Sequence, residues 1–213
     1  MIKHPVIAAI AGAVLLAAVF IHPFLLRSLY SILCFKKPVA GARALVIEGW
    51  LFTHMWSEAA DELQGGSYGF CVITCKDDCG CTGDGKRMTV TADDFRTMLK
   101  QRNCSHITVY EIPVPTDREQ FTYRSAVLAK RWFRRNKPEV HVFNIFTGGH
   151  HAAKTLTIYN RIFGKDFTVG IIPASIRHFD PENWWKSKRG IRSVTRYTIG
   201  YLYALFYPFK KEE

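Results

Sequence analysis

One carboxylate, two histidines and a lysine stand where apolar runs of this chain end, and such a set can do acid–base chemistry on an anion. Glu48 follows the run Ala44–Ile47. A carboxylate shielded from water has its pKa raised towards neutrality, so Glu48 could act as a general base or hold a hydroxyl. The alternative is a surface carboxylate capping the next helix. His151 follows Phe143–Phe146 and a Thr147-Gly-Gly turn. Imidazole donates, accepts or transfers protons, and at a helix start the dipole disfavours its cation. His150 is the second candidate, although neighbouring side chains on such a turn diverge. Thr147 offers a hydroxyl to an anion or caps the helix. Lys154, three residues beyond His151, shares its helical face. It could hold a phosphate or carboxylate, or simply be solvated.

Arg124 and Ser125 open the helix after the third predicted strand. Arginine there suits bidentate recognition of phosphate or carboxylate, against a structural ion pair with Glu48 or Glu119. Gly49 allows close backbone approach, and Trp50 is either a ligand-stacking ring or a packing residue. A Ser125–His151–Glu48 hydrolase triad would lack the G-x-S-x-G elbow. The adjacent histidines lack H-E-x-x-H spacing, so no catalytic metal is expected.

The elements that must position these residues alternate as strand and helix. Ala44–Ile47, Phe70–Thr74, His106–Ile112, His141–Phe146 and Phe167–Pro173 are short apolar runs suited to strands covered on both faces. Pro113-Val-Pro115 is expected to break the third. Helices are expected over 53–64, 92–102 (capped by Thr91 with Asp94), 121–136, 152–163 and 184–207. In the last, Ile191, Val194, Thr198, Tyr201, Leu202 and Leu205 share a face. This order predicts an α/β fold with a mainly parallel sheet and helices on both sides. Right-handed crossovers then gather the polar strand ends on one edge, where ligands bind such sheets.

Composition sets the surroundings. The chain of 213 residues carries a net charge of +11, which points to an anionic partner. Its basic residues are scattered and no nucleic-acid-binding motif is legible, so no nucleic acid is expected. Pro5–Leu26 is free of charge, long enough to span a bilayer as a helix, and lacks a good cleavage site near its end. Residues 1–30 therefore read as a membrane anchor, 31–42 as a linker and 43–213 as the main domain. Trp184 and Trp185, with nearby lysines and arginines, resemble an interfacial belt; the alternative is a cap on the core. Four of the six cysteines lie within Cys71–Cys81, three of them in a Cys-rich insertion over about 75–87. Cys71, Cys75, Cys79 and Cys81 could form disulfides, hold zinc or stay free. Disulfides would favour the extracytoplasmic side, whereas the positive-inside count favours the cytoplasm. The adopted reading is a single-pass membrane protein with its main domain outside the cytoplasm.

Leu45-Val-Ile-Glu-Gly-Trp-Leu51, Tyr123-Arg-Ser-Ala126, Thr147-x3-His151-x2-Lys154 and Asp180-Pro-Glu-Asn-Trp-Trp-Lys-Ser187 occur in an order that resembles the ElyC/SanA/YdcF-like family. The resemblance covers roughly residues 43–207 and extends to its membrane-anchored branch. It implies a Rossmann-like three-layer domain, links to envelope biogenesis or barrier function, and no firmly established reaction. The chain departs from that pattern in its Glu48-Gly49-Trp50 turn, in Lys154 where arginine is common, and in the Cys-rich insertion.

The reading that follows is an envelope protein that binds membrane lipid and an anionic small molecule, either a lipid-linked sugar phosphate or a nucleotide-derived ligand. Glu48, Gly49, Arg124, Ser125, Thr147, His150, His151 and Lys154 form the candidate site. The cofactor and protein partners are unknown. The alternatives are a transferase or hydrolase using His151 and Glu48 as acid and base, and a membrane-bound interaction protein with a vestigial crevice.

Overall fold

In the computed structural model, residues 21–76, 90–115 and 120–207 are described. Five strands, β1 (Ala44–Glu48), β2 (Phe70–Lys76), β3 (Thr108–Val114), β4 (Val142–Gly148) and β5 (Thr168–Ala174), form one sheet in the order β3-β2-β1-β4-β5. Every pairing is parallel. The fold is therefore α/β and Rossmann-like, as expected, and the sheet is wholly rather than mainly parallel.

Each strand feeds two cores because its side chains alternate. All five residues of β1 are buried. Leu45 and Ile47 join Cys71 and Ile73 under α2 (Thr53–Gly65) and α3 (Ala92–Gln101). Ala44 and Val46 join Val72, Phe143 and Ile145 under α4 (Phe121–Asn136) and α5 (Ala152–Phe163). Burial on both faces is why these strands read as continuous apolar runs. Thr91 and Asp94 form the expected capping box on α3.

Two expectations about the elements are corrected. β3 continues through Pro113, which pairs with Cys75. β3 is an edge strand, where a missing N–H can face away from the sheet. The C-terminal segment is two elements: a 3-10 segment Pro181–Lys186, capped by Asp180, then α6 (Lys188–Phe206), whose N-cap Ser187 accepts from Gly190 N. Ile191 and Leu202 are exposed, at 46% and 47%, while Gly190, Val194 and Ala204 are buried. Small residues let α6 lie close on its neighbour, and Arg161 of α5 donates to Ala204 O at 2.7 Å.

Helical residues 21–33 (α1) pack on the domain. Leu33 is fully buried with Trp184 and Val194, and the Trp184 indole donates to Leu26 O at 3.0 Å. Arg27 donates to Glu182 O and lies over Trp185. The paired tryptophans thus cap a small satellite core. Residue 37 of the linker exchanges two backbone hydrogen bonds with Ile171, each 2.9 Å. Among the described residues, no helix is long and apolar enough to cross a membrane. Most of the run Pro5–Leu26 lies outside them, as does most of the Cys-rich insertion, including Cys79 and Cys81. Cys34, Cys71 and Cys104 are free thiols.

Candidate functional site

The sheet order puts β1 between β2 and β4, so chain connections from β1 and β4 diverge at their carboxyl ends. That divergence opens the ligand crevice of such a sheet. Ile47 of β1 pairs with Phe146 of β4, and one step further Glu48 and Thr147 meet. Gly49 makes the approach possible on the other side. Its N–H donates to Thr74 O at 3.0 Å, and a Cβ there would lie 2.6 Å from that oxygen and 2.8 Å from Cys75 Cα.

Glu48 is fully buried. Its Oε2 accepts from the Thr147 hydroxyl and, at 3.3 Å, from the Thr155 hydroxyl. His151 Nδ1 lies 2.8 Å from Thr155 Oγ1 and 3.6 Å from Glu48 Oε2. Burial pushes the carboxyl pKa up, but the His151, Thr147 and Trp50 side chains outweigh it and hold it below the ordinary value. This corrects the expectation of a raised pKa: donors to the charged form decide the sign. The other oxygen, Oε1, is buried and has no hydrogen-bond partner among the described residues. Beneath it, burial and the Glu48 charge push the Tyr159 phenol well above its usual range.

His151 is the link from this buried set to open space. Its ring stands edge-on to Trp50 at 4.9 Å and to Tyr197 at 5.3 Å. Above it lies a cavity of about 390 Å³, lined by Trp50, His151, Lys154, Arg196, Tyr197, Gly200 and residues Gln120–Thr122. Lys154 reaches it from one turn along α5. Burial lowers the ammonium pKa, Glu48 raises it and Arg196 lowers it again, with a net fall. Arg196 is exposed at the rim. An indole, an imidazole and two cations around one cavity suit a small anion with a flat or ring-shaped attachment.

The structure brings together Glu48, Gly49, Thr147, His151 and Lys154. It separates three others. His150 turns away: Nε2 pairs with Ser193 Oγ at 2.8 Å, and the ring packs against Tyr197, Tyr30 and Phe179. Burial first, then His151 and His178, push its pKa down to about 3. Ser125 is fully buried, its hydroxyl has no hydrogen-bond partner among the described residues, and it lies away from the cavity lining. Arg124 is half-buried beside Pro115 O, at 3.5 Å, and does not line the cavity. The cation it was expected to supply comes from Arg196.

Sequence reasoning missed Thr155, Arg196 and Tyr197. Thr155 carried a signal, because it stands four residues from His151 and so shares its helical face. Arg196 and Tyr197 carried none, since only the packing of α6 on α5 brings them in.

A wider groove of about 1230 Å³ lies along α2 and α3, with Phe52, His54, Arg102, Arg177, His178 and Arg189 in its walls. Arg102 is paired with Asp61 at 2.7 Å and Arg177 with Glu58 at 3.3 Å. Those pairs satisfy much of its positive charge, and the buried Glu48–His151 set opens on the smaller cavity. Among the described residues no group of three or more histidines, cysteines or carboxylates could hold a metal ion. Comparison of the chain with protein-family models, curated proteins and solved structures gave no match.

Proposed function

We propose that this chain binds an anionic small molecule in the crevice at the carboxyl edge of β1 and β4. The observation that carries this reading is the convergence of Lys154 and Arg196 on a cavity floored by His151 and walled by Trp50 and Tyr197. Two cations from different helices can straddle a phosphate, and the aromatic walls can cover a base, sugar or prenyl group. The charge-free run Pro5–Leu26 and the net charge of +11 support a membrane-anchored protein whose ligand or surroundings are anionic. With the motif resemblance to the ElyC/SanA/YdcF-like family, they favour a lipid-linked sugar phosphate or a nucleotide-derived ligand, in envelope biogenesis or barrier function.

Thermal unfolding of the full chain with inorganic phosphate, uridine diphosphate and a polyprenyl phosphate tests the reading. At about 100 times its dissociation constant, a ligand stabilises the fold by roughly 2.7 kcal/mol. The expected result is a rise in Tm with at least one of them that Lys154→Ala and Arg196→Ala each diminish. The reading fails if none of the three moves Tm, or if the shift survives both substitutions together.

A further inference from the structure

An anion-binding pocket needs cations; it does not need a buried, ionised carboxylate beneath a histidine. The Glu48–His151 pair exceeds what anion binding requires, and the role given to it here rests on the anion-binding reading.

The hydrogen bonds around Glu48 fix the tautomer of the neutral ring. An ionised carboxylate only accepts. Thr155 has one hydroxyl proton, and that hydroxyl donates to Glu48 Oε2. Thr155 Oγ1 must then accept from His151 Nδ1, 2.8 Å away. The proton of a neutral ring is therefore on Nδ1, and the lone pair is on Nε2. His151 lines the cavity, and Nε2 makes no hydrogen bond among the described residues. The titratable groups around the ring are Glu48 from β1, Lys154 from α5, the adjacent His150 with its own ring turned away, and Arg196 and Tyr197 from α6. In its neutral form the ring presents an accepting nitrogen, Nε2, to the cavity beside two cations.

We propose that His151 is the general base of a hydrolytic site for phosphoryl esters, with Thr155 and Glu48 as positioning residues. Lys154 and Arg196 hold the phosphoryl oxygens. Nε2 takes a proton from a water molecule as that water's oxygen bonds to phosphorus. The ester P–O bond breaks, and the departing oxygen keeps the bonding electrons and takes a proton from solvent at the open mouth of the cavity. The imidazolium returns its proton to the same solvent. The products are an alcohol and inorganic phosphate, and the site is restored.

The test uses the full chain with p-nitrophenyl phosphate, following release of p-nitrophenol, alongside calorimetric binding of inorganic phosphate. A general base contributes about 10²–10⁴-fold, so His151→Ala and His151→Gln should lose turnover by that factor while phosphate still binds. Thr155→Val removes the relay hydroxyl at nearly constant volume and should lower kcat with little change in KM. Nitrogen-15 NMR of the unmodified chain reads the tautomer directly and does not depend on any variant folding: Nδ1 should carry the proton. The proposal is overturned, with the anion-binding reading intact, if phosphate binds through Lys154 but no p-nitrophenol is released. It is equally overturned if Nε2 carries the proton. A chain that neither binds phosphate nor hydrolyses the ester refutes the hydrolytic site, and the anion-binding reading falls with it if uridine diphosphate and the polyprenyl phosphate also leave Tm unmoved.

Discussion

Substitution of Gly49 by alanine tests the close meeting of strands on which the site depends. The new Cβ would stand 2.6 Å from Thr74 O and 2.8 Å from Cys75 Cα, both backbone atoms, against 3.4 Å for ordinary contact. The two strand ends must separate by several tenths of an ångström. Neither obstructing atom belongs to a side chain that could swing aside, and the 3.0 Å hydrogen bond from Gly49 N to Thr74 O stretches as they part. Overpacking of this kind costs about 1–3 kcal/mol, and the weakened hydrogen bond adds roughly 1 kcal/mol. For a domain of this size each kcal/mol lowers Tm by about 2–4 °C, so the expected fall is roughly 4–16 °C. Thermal unfolding followed by circular dichroism measures it. Gly65→Ala is the control: nothing lies within 4 Å of its Cβ position, and alanine near a helix end is favourable by up to about 1 kcal/mol. If Gly49→Ala melts with the parent protein, or Gly65→Ala falls as far, the steric reasoning is refuted.

Two further outcomes follow from buried polar groups. His150 is held neutral to about pH 3 in the fold, while in the unfolded chain it protonates near pH 6.5. The unfolded state therefore binds the extra proton between those values, and stability is full above about pH 6.5 and declines as pH falls towards 3. Urea unfolding from pH 7.5 to 4 should show a shallower decline in His150→Phe; an unchanged slope would show that this ring does not contribute. Asn144 is buried in β4, where it accepts from Val39 N at 2.8 Å and donates to the Tyr68 hydroxyl oxygen at 3.0 Å. Asn144→Ala leaves the half-buried Val39 N–H without this acceptor, at a cost of about 1 kcal/mol. It should also speed amide exchange at Val39, and equal exchange in both proteins would deny it the role of fastening the linker to the sheet.

Much of the fold was legible in the chain because its strands are covered on both faces. Continuous runs such as Ala44–Ile47 identify buried parallel strands, and the βα alternation fixes which edge collects their polar ends. The helices 121–136 and 152–163 were delimited correctly by periodicity and their flanking turns. Pro113 misled because its effect depends on whether a strand is central or at the edge, which only sheet order reveals. The face of α6 misled for a related reason. Periodicity counts apolar residues, but the helix buries Gly190 and Ala204 where it lies against its neighbours and leaves Ile191 and Leu202 outside.

The sequence by itself determined the candidates Glu48, Gly49, Thr147, His151 and Lys154, because residue type and position at a strand end are local properties. Tertiary structure decided their chemistry. Adjacency of β1 and β4 set Thr147 on the Glu48 carboxylate, and the donors around that carboxylate reversed the expected direction of its pKa. Packing of α6 across α5 brought in Arg196 and Tyr197 from more than forty residues away, whereas His150 was drawn into aromatic packing and Arg124 was placed outside the cavity wall. Charge and hydrogen bonding act through distance, and distances between remote segments exist only once the chain has folded.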